Sequence, residues 1–524
     1  MTKTDDRKTP PNILMIVSDQ ERARGWIPDD LHSQLKGRTR LIETGLECGS
    51  HYTHSSPCSP SRATLFCGQY VPEHGVTDNV FIDPAHPDLH DQTPTIGHLL
   101  RRAGYKTAFI GKWHLSWGNP EMERYGFSDW SGQDWAWTGL AGTGVYYDQI
   151  IAGQATEWIR AHAHAGPWLL VVGLLNPHDI AWYPADQPGY QARHPERSAQ
   201  YRSYIPAPIP GKESITTFTG EFAELFDLPA NHLDDLNSKP AVQKTWRWEE
   251  NHWHFGWLDH DDSHSWRRAL DYYWELHKRN DAHVVEILDA LAATGHEDET
   301  AVIFTSDHGE MAGSHGMRGK GPFAYEEIMH IPLYMRVPGV TTPGTRTESL
   351  TSSVDLVQTM CAIAGADPGD SVSGVDISPL MSDTSASVRD HVLFAQEQGW
   401  HQSCVAERFA LRGYFDGQTK YVRYYGVGGG TDSIGRGVPW QDEMRFGPNA
   451  DVFDLEHELY DLTDDPGELE NLALAGSRSH EIDDRIAHLR ELEKIAYVHE
   501  RPAGRGQGSS GESGMMAHAG IGDG

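Results

Sequence analysis

Short apolar runs, each closing on a polar or charged residue and followed by a stretch with helical periodicity, recur through most of this chain. They are "PNILMIVSDQ" (11–20), "YKTAFIGK" (105–112), "WLLVVGLL" (168–175) and "AVIFTSDHGE" (301–310). A strand that is apolar at nearly every position is covered on both faces, and strands that alternate with helices build a mostly parallel sheet. The pattern therefore predicts an α/β fold, a large mixed sheet sandwiched by helices. Its first strand delivers Asp19 to the carboxyl edge of the sheet, where ligands collect in open α/β folds.

The helical segments are equally legible. In "TPTIGHLLRRAG", Thr93 is the expected N-cap, Pro94 the first helical residue, Ile96, Leu99, Leu100 and Ala103 the buried face and Gly104 the stop. Further helices are expected near 148–163, 265–294 and 354–365, with a strand at 332–337. From about 391 the pattern changes to short strands ("HVLFAQ", "RFALRGYF", "TKYVRYYG"), then "ELYDLTDDPGELENLA" and a helix rich in Leu and Glu. With 524 residues, more than one core is expected: a catalytic α/β domain over 1–388, a smaller C-terminal α+β domain over 389–500 and a disordered Gly/Ser-rich tail over 501–524. Residues 201–266 break the alternation with many aromatic and histidine residues. They read either as a surface insertion packed by its own aromatics or as a flap that shapes the organic part of a substrate.

A formal charge of −32 argues against nucleic-acid and anionic-membrane partners, both of which need basic surface. An anionic substrate must then be attracted by a few local cations or a metal. Cys48, Cys58, Cys67, Cys361 and Cys404 show no paired spacing and read as reduced thiols. The N-terminus carries two acids where a signal peptide is basic, and its apolar run is too short for a signal or a span. The expectation is a cytoplasmic protein, with homo-oligomerisation left open.

The sharpest local feature is "SSPCSPSRATLFCG" (55–68). Ser59 can cap a helix and Pro60 fits its first turn, which places Cys58 at a helix N-terminus, where backbone N–H groups and the dipole favour an anion. A bridge to Cys67 fails on distance, since nine helical residues span about 13 Å against about 4.4–6.8 Å between bridged Cα atoms.

Cys58, Ser59, Pro60, Ser61 and Arg62, followed by Leu65, Phe66 and Gly68, match C-x-P-S-R, the signature of the sulfatases of the alkaline phosphatase superfamily, and the chain resembles the arylsulfatases and choline sulfatases of that family. "GYKTAFIGKWHL" (104–115) is similar to the second signature, and "SDHGE" (306–310) and "ELYDLTDDPGELENLA" (458–473) to further elements, so the resemblance spans residues 12 to about 475. It implies an alkaline-phosphatase-like fold and cleavage of an organic sulfate monoester to alcohol and sulfate. It also implies that a formylglycine-generating enzyme oxidises Cys58 to formylglycine. The hydrated aldehyde then serves as nucleophile and carries the sulfuryl group before collapsing to release sulfate.

The resemblance implies one divalent ion held by Asp19, the Cys58 derivative, Asp307 and His308, with Gln20 as a fifth ligand. Many relatives carry Asp at position 20 and Asn at position 308. Oxygen donors favour calcium, while the imidazole leaves manganese as the alternative. Arg62, Lys112 and Lys320, the last a dozen residues after His308, are implied to clamp the sulfate. His114 is implied to activate the gem-diol and His178, in "LLNPHDIAWYP", to protonate the leaving alcohol; His315 is a further candidate. Trp113, Trp182 and Tyr183 would suit an aryl group, a sugar face or a quaternary ammonium. Two other readings stand beside this one. A phosphonate monoester or phosphodiester hydrolase of the same superfamily shares the Cys motif and the Asp-Gln and Asp-His variants. A catalytically silent metal-binding protein has no need of the full set of Cys58, Arg62, Lys112, His114, Asp307 and Lys320.

Overall fold

A computed structural model describes residues 10–80, 88–116, 121–130, 134, 142–183, 192, 195–196, 220–254, 256–397, 407–431, 437–439, 456–474 and 479–497. Its centre is an eight-stranded sheet built from β1 (Asn12–Asp19), β2 (Leu46–Cys48), β4 (Lys106–Gly111), β5 (Asp129–Trp130), β6 (Trp168–Pro177), β7 (Thr300–Ser306), β8 (Leu333–Arg336) and β9 (Thr345–Thr347). The order across the sheet is β5-β4-β6-β1-β7-β8-β2-β9. Only β8 runs against its neighbours; the other pairings are parallel. A small parallel ladder joins β3 (His51–Tyr52) to β10 (Thr351–Ser352).

Strand β1 lies in the middle because both its faces are apolar. Ile13, Met15 and Val17 turn toward the helices Cys58–Cys67, Ile96–Arg102 and Asp355–Ala364. Leu14 and Ile16 turn toward Thr143–His162 and Ser263–Ala293. All five are fully buried, and each contributes about 1.5–3 kcal/mol of transfer free energy. Helix Ile96–Arg102 starts two residues later than its sequence predicts. Thr95 is the N-cap, with its hydroxyl accepting from His98 N and the His98 ring answering at the Thr95 backbone, an arrangement unavailable to Thr93.

Register places the chemistry. Met15 of β1 pairs with Val171 of β6 and with Ile303 of β7, and Gly111 of β4 pairs with Gly173 of β6. The four strands therefore finish at one edge and present Asp19, Lys112 to His114, His178 and Asp307-His308 side by side.

The second sheet is antiparallel: β11 (Val392–Gln396), β12 (Arg408–Phe415), β13 (Thr419–Thr431), β14 (Gly437–Pro439) and β15 (Glu456–Asp461). Period-two alternation divides its side chains. Leu393, Tyr414, Tyr421 and Leu459 pack on helix Ser479–Ala496, whereas Phe394, Val422, Tyr424 and Tyr460 pack on Phe323, Tyr325 and Ile328 of the first unit. Cys404, the 501–524 tail and residues 201–219 lie outside the described residues. Within 220–266, Trp246 and Trp266 are buried while Trp248 and Trp257 stand exposed. Among the described residues no helix is long and apolar enough to cross a membrane.

Candidate active site

Cys58 is the first residue of helix Cys58–Cys67 and is fully buried. The helix is capped differently from its sequence expectation. Pro57 occupies the N-cap, and the Ser59 hydroxyl donates to the His114 carbonyl (2.6 Å) and accepts from Val80 N (3.1 Å), while Ser59 N donates to Asn79 Oδ1 (2.9 Å). Ser59 thus ties the helix of Cys58 to the turn carrying Lys112 and His114. Among the described residues, Cys48, Cys58, Cys67 and Cys361 form no disulfide.

Around the Cys58 sulfur the structure gathers His308 Nε2 at 3.2 Å, Lys320 Nζ at 3.2 Å and Asp19 Oδ1 at 3.6 Å. Donor atoms of Asp19, Cys58, Asp307 and His308 lie within 4.8 Å of one another, all buried. These residues fit a cation. The other ring nitrogen of His308, Nδ1, is 2.9 Å from the Gly309 carbonyl. Nδ1 therefore carries a proton, and Nε2 faces Asp19 Oδ1 at 3.9 Å and Asp307 Oδ1 at 3.8 Å, where, against burial and Lys320, Asp307 and the Cys58 charge hold the ring above its ordinary range. Two carboxylate oxygens and a sulfur crowded at one buried spot repel unless a positive charge sits among them, either the protonated His308 ring or a bound cation in its stead. Gln20 is placed beside the cluster, its carboxamide oxygen accepting from Lys320 Nζ at 2.6 Å.

Two more cations stand behind the carboxylates. Arg62 gives Nε to Asp307 Oδ2 (2.9 Å), one terminal nitrogen to Asp19 Oδ2 (3.0 Å) and the other to the Lys112 carbonyl (2.8 Å). Lys112 Nζ lies 2.6 Å from Asp19 Oδ2. Lys112 enters through a close backbone contact: Gly111 has φ 105°, and a Cβ on it would meet the Gly173 carbonyl at 2.1 Å. The glycine before Lys112 is therefore a steric requirement.

The fields of these groups act on one another. Burial opposes ionisation of Cys58, but Lys112, Lys320, His308 and a hydrogen bond with His114 hold the thiol well below its ordinary range. Against burial and the Cys58 charge, Lys112, His178 and Arg62 hold Asp19 down. Burial and the neighbouring Asp19 push Asp307 up. Burial and Lys112 lower His114 to about 4, and burial and Lys320 lower His178 to about 4. Both rings interact with the Cys58 side chain.

Several supporting residues have no signal in the sequence. Asp134, whose carboxyl burial raises to about 6, accepts from Trp113 N (3.0 Å) and His114 N (2.8 Å) and holds His114 at φ 58°. Asp148 accepts from Leu175 N (2.7 Å) and Asn176 N (2.9 Å), and Asp179 from Val145 N (2.9 Å), fixing the strand end before His178 to the start of helix Thr143–His162. Two expectations are corrected. Trp113 is fully buried and stacks on Phe66 at 5.5 Å, so it belongs to the core beneath the site. His315 is bonded to Asp234 (2.7 Å) and Asn231 (3.0 Å) and stacked on Tyr325 at 4.0 Å, in a separate polar cluster. Trp182 and Tyr183 follow His178 directly and are buried, Tyr183 OH donating to the Ser265 carbonyl at 3.3 Å.

A buried thiol beside Arg62, Lys112 and Lys320 and a cation-sized cluster of acceptors, at the carboxyl edge of an α/β sheet, forms a pocket suited to a tetrahedral anion. A family model described as Sulfatase matches residues 11–366, and one described as N-sulphoglucosamine sulphohydrolase, C-terminal, matches 313–428. The chain belongs to the sulfatase family and is a sulfuric ester hydrolase acting on a small sulfate ester. It is 23% identical to the N-acetylglucosamine-6-O-sulfatase of Bacteroides thetaiotaomicron, over 88% of this chain and 82% of that protein. Among solved structures it is similar to one described as a complex with its substrate D-glucosamine-2-N,6-O-disulfate (TM-score 0.67, 19% identity, 94% of this chain and 99% of that one). It is also similar in fold to a phosphonate monoester hydrolase from Silicibacter pomeroyi (TM-score 0.66, 20% identity, 93% and 96% covered).

Proposed function

We propose that this sulfatase cleaves its ester with a formylglycine made from Cys58, beside one divalent ion held by Asp19, Asp307, His308 and residue 58, with the Gln20 carboxamide oxygen as a further ligand. The observation that carries the reading is the crowding of His308, Lys320 and Asp19 around a single buried sulfur, at 3.2, 3.2 and 3.6 Å. The aldehyde hydrate supplies a nucleophilic hydroxyl for sulfur and a second hydroxyl whose deprotonation expels sulfate. The ion supplies charge that stabilises an oxyanion near neutral pH. Calcium suits the carboxylate donors, and the His308 imidazole keeps manganese as the alternative.

Every other part is played by the chain itself. Arg62 is held by Asp19 and Asp307 so that its position is set before substrate arrives. Lys112 and Lys320 approach residue 58 from two sides and receive the sulfuryl oxygens. His114, with Nε2 2.9 Å from the Val80 carbonyl, presents its other nitrogen to residue 58 and takes the proton of the hydrate. His178, on the strand end tied down by Asp148 and Asp179, is lowered to about 4 by burial and Lys320 in the free site; the anionic ester, by engaging Lys320, raises the ring so that it takes up a proton and gives it to the departing alcohol.

Peptide mass spectrometry across residue 58 tests the nucleophile: active protein is expected to show a loss of about 18 Da at the cysteine, and active protein carrying only thiol would remove the proposal. Elemental analysis distinguishes calcium from manganese, and full activity in metal-free protein would remove the ion. A phosphonate or phosphodiester specificity is favoured by one feature, the Gln20 and His308 pattern together with the phosphonate hydrolase fold neighbour. A matched panel of aryl, choline and sugar sulfates with a phosphonate monoester separates the two by kcat/KM.

A further inference from the structure

Glu310 closes the "SDHGE" run, is 1% exposed, and has no part in the chemistry above. Both its oxygens are engaged. Oε1 accepts from Ala312 N at 3.0 Å and Gly319 N at 2.7 Å, and Oε2 accepts from the Gln20 side-chain Nε2. The other end of the Gln20 carboxamide accepts from Lys320 Nζ at 2.6 Å, and that same Nζ stands 3.2 Å from the Cys58 sulfur. A continuous chain of contacts thus runs from Glu310 through Gln20 and Lys320 to residue 58.

A carboxamide is a directional link, since its nitrogen only donates and its oxygen only accepts. Between a carboxylate and an ammonium one orientation makes two charge-assisted bonds, while the flipped one sets NH2 against ammonium and oxygen against carboxylate. Glu310 therefore determines which end of Gln20 faces Lys320. The same carboxylate holds the backbone N–H immediately before Lys320. The loop between them runs through left-handed conformations at Ala312 (φ 44°) and His315 (φ 52°), as well as at three glycines, a path that persists only when surrounding contacts enforce it. Gln20 is itself left-handed (φ 69°), its N donating to Asp307 Oδ1 at 3.0 Å and its carbonyl accepting from Tyr273 OH at 2.5 Å.

We infer that Glu310 is a positioning residue: it fixes the Gln20 carboxamide and the backbone entering Lys320 so that the ammonium is held over residue 58. The inference rests on the proposed function in taking Lys320 to receive the sulfuryl group and Gln20 to lie beside the proposed ion, so the contact distances and sulfate affinity, read without metal, decide it apart from turnover.

The test is a reversal of charge order. Glu310→Gln keeps an acceptor for Ala312 N and Gly319 N but sets NH2 against NH2 at Gln20. It is expected to lower kcat/KM by about 10–100-fold, and to weaken binding of inorganic sulfate by a Cys58→Ala protein, read by calorimetry, by a similar factor. Adding Gln20→Glu to Glu310→Gln restores an acceptor both for the amide now at position 310 and for Lys320. The double variant is expected to recover most of the loss, which a role confined to loop packing does not predict. Crystal structures give a readout that needs no turnover. The Lys320 to residue 20 contact, 2.6 Å here, is expected to open past about 3.5 Å in Glu310→Gln and to close again in the double variant. An unchanged contact or unchanged sulfate affinity in Glu310→Gln, or a double variant no better than the single one, overturns the inference. A wild-type protein that hydrolyses no sulfate ester overturns the proposed function instead and leaves the structural readout decisive. Should Glu310→Gln not fold, Glu310→Asp, too short to hold both the loop and Gln20, must show the same displacement of Lys320, and its absence overturns the inference as well.

Discussion

Two buried lysines, one in each unit of the molecule, show what separates an ionic cluster that builds a protein from one that works. Lys420, between the antiparallel sheet and the catalytic unit, gives its ammonium to Glu326 (2.8 Å), Glu468 (3.0 Å) and the Ala324 carbonyl (3.0 Å). Its three donors meet three acceptors. Burial and the neighbouring Glu326 push Glu468 up, while Lys420 and His330 hold Glu326 down against the effect of burial. The shared ammonium thus favours the charged form of Glu326 and burial the uncharged form of Glu468, which balances charge within the cluster. Lys112 is just as buried but, among the described residues, makes a single ion pair, with Asp19, and shares its space with Arg62 and the Cys58 sulfur. Charge that finds its full complement inside the protein fixes the arrangement of elements; charge held in place with capacity to spare binds something else.

If that distinction holds, substitutions at the two sites should separate rate from stability. The largest effect is expected at His178. His178→Ala should slow a poor leaving group such as an alkyl or sugar sulfate by about 10²–10⁴-fold while sparing a nitrophenyl sulfate, measured as kcat/KM on both. Equal losses would assign His178 to sulfate binding or to structure, and normal rates on the poor leaving group would move the acid role to Lys320. Lys112→Met comes next, with an expected loss of about 10²–10³-fold in kcat and little change in the denaturation midpoint. Its counterpart Lys420→Met should show the opposite pattern. Breaking a buried pair costs about 3–5 kcal/mol, seen in urea unfolding, while kcat of the remaining folded enzyme stays at the wild-type value. A Lys420→Met enzyme with normal stability and depressed kcat would sink the comparison.

Acid should then act on the join between the units. Across that join His54 bonds to the Leu393 carbonyl (2.7 Å), while within the first unit it accepts from Val71 N (3.1 Å) and the neighbouring His51 bonds to Thr351 (3.0 Å). Burial lowers both to about 3. The unfolded chain therefore binds more protons than the folded one between about pH 6.5 and 3, so stability is complete above this window and falls as pH drops through it. Each ring contributes up to about 1.4 kcal/mol per pH unit. Urea midpoints at pH 7 and 5.5 should differ accordingly, and His54→Gln should flatten the slope. The smallest effect is expected for Glu468→Gln, under about 1 kcal/mol, because burial and Glu326 already push the replaced carboxyl toward its uncharged form.

The large elements were legible because their signals are local. Unbroken apolar runs marked β1, β6 and β7, and the residue following each run fell at the sheet edge. C-x-P-S-R and G-K-W-H are contiguous, so Cys58, Arg62, Lys112 and His114 were visible as a set. What stayed hidden depends on partners far away in the chain. Asp134 matters only because the Trp113-His114 turn folds onto it, and Glu310 only because Gln20, 290 residues earlier, meets it. Ser59 reads as a cap, but its hydroxyl is taken by the His114 carbonyl, and Trp113 reads as a substrate aromatic although the Phe66 ring claims its face. Composition and spacing carry no information about such competition for a partner.

The complete burial of Cys58 also bears on the order of events in making the enzyme. A side chain sealed beneath a helix, two carboxylates and three cations is out of reach of any other protein once the sheet has closed. The proposed conversion of Cys58 must therefore be finished while this segment is still an extended strip of polypeptide. Folding and maturation then compete for the same interval. On that proposal, a cell that synthesised the chain faster than the modifying enzyme could work would accumulate molecules that are correctly shaped and stable but inactive. The specific activity of a preparation would report the history of its synthesis rather than the quality of its fold.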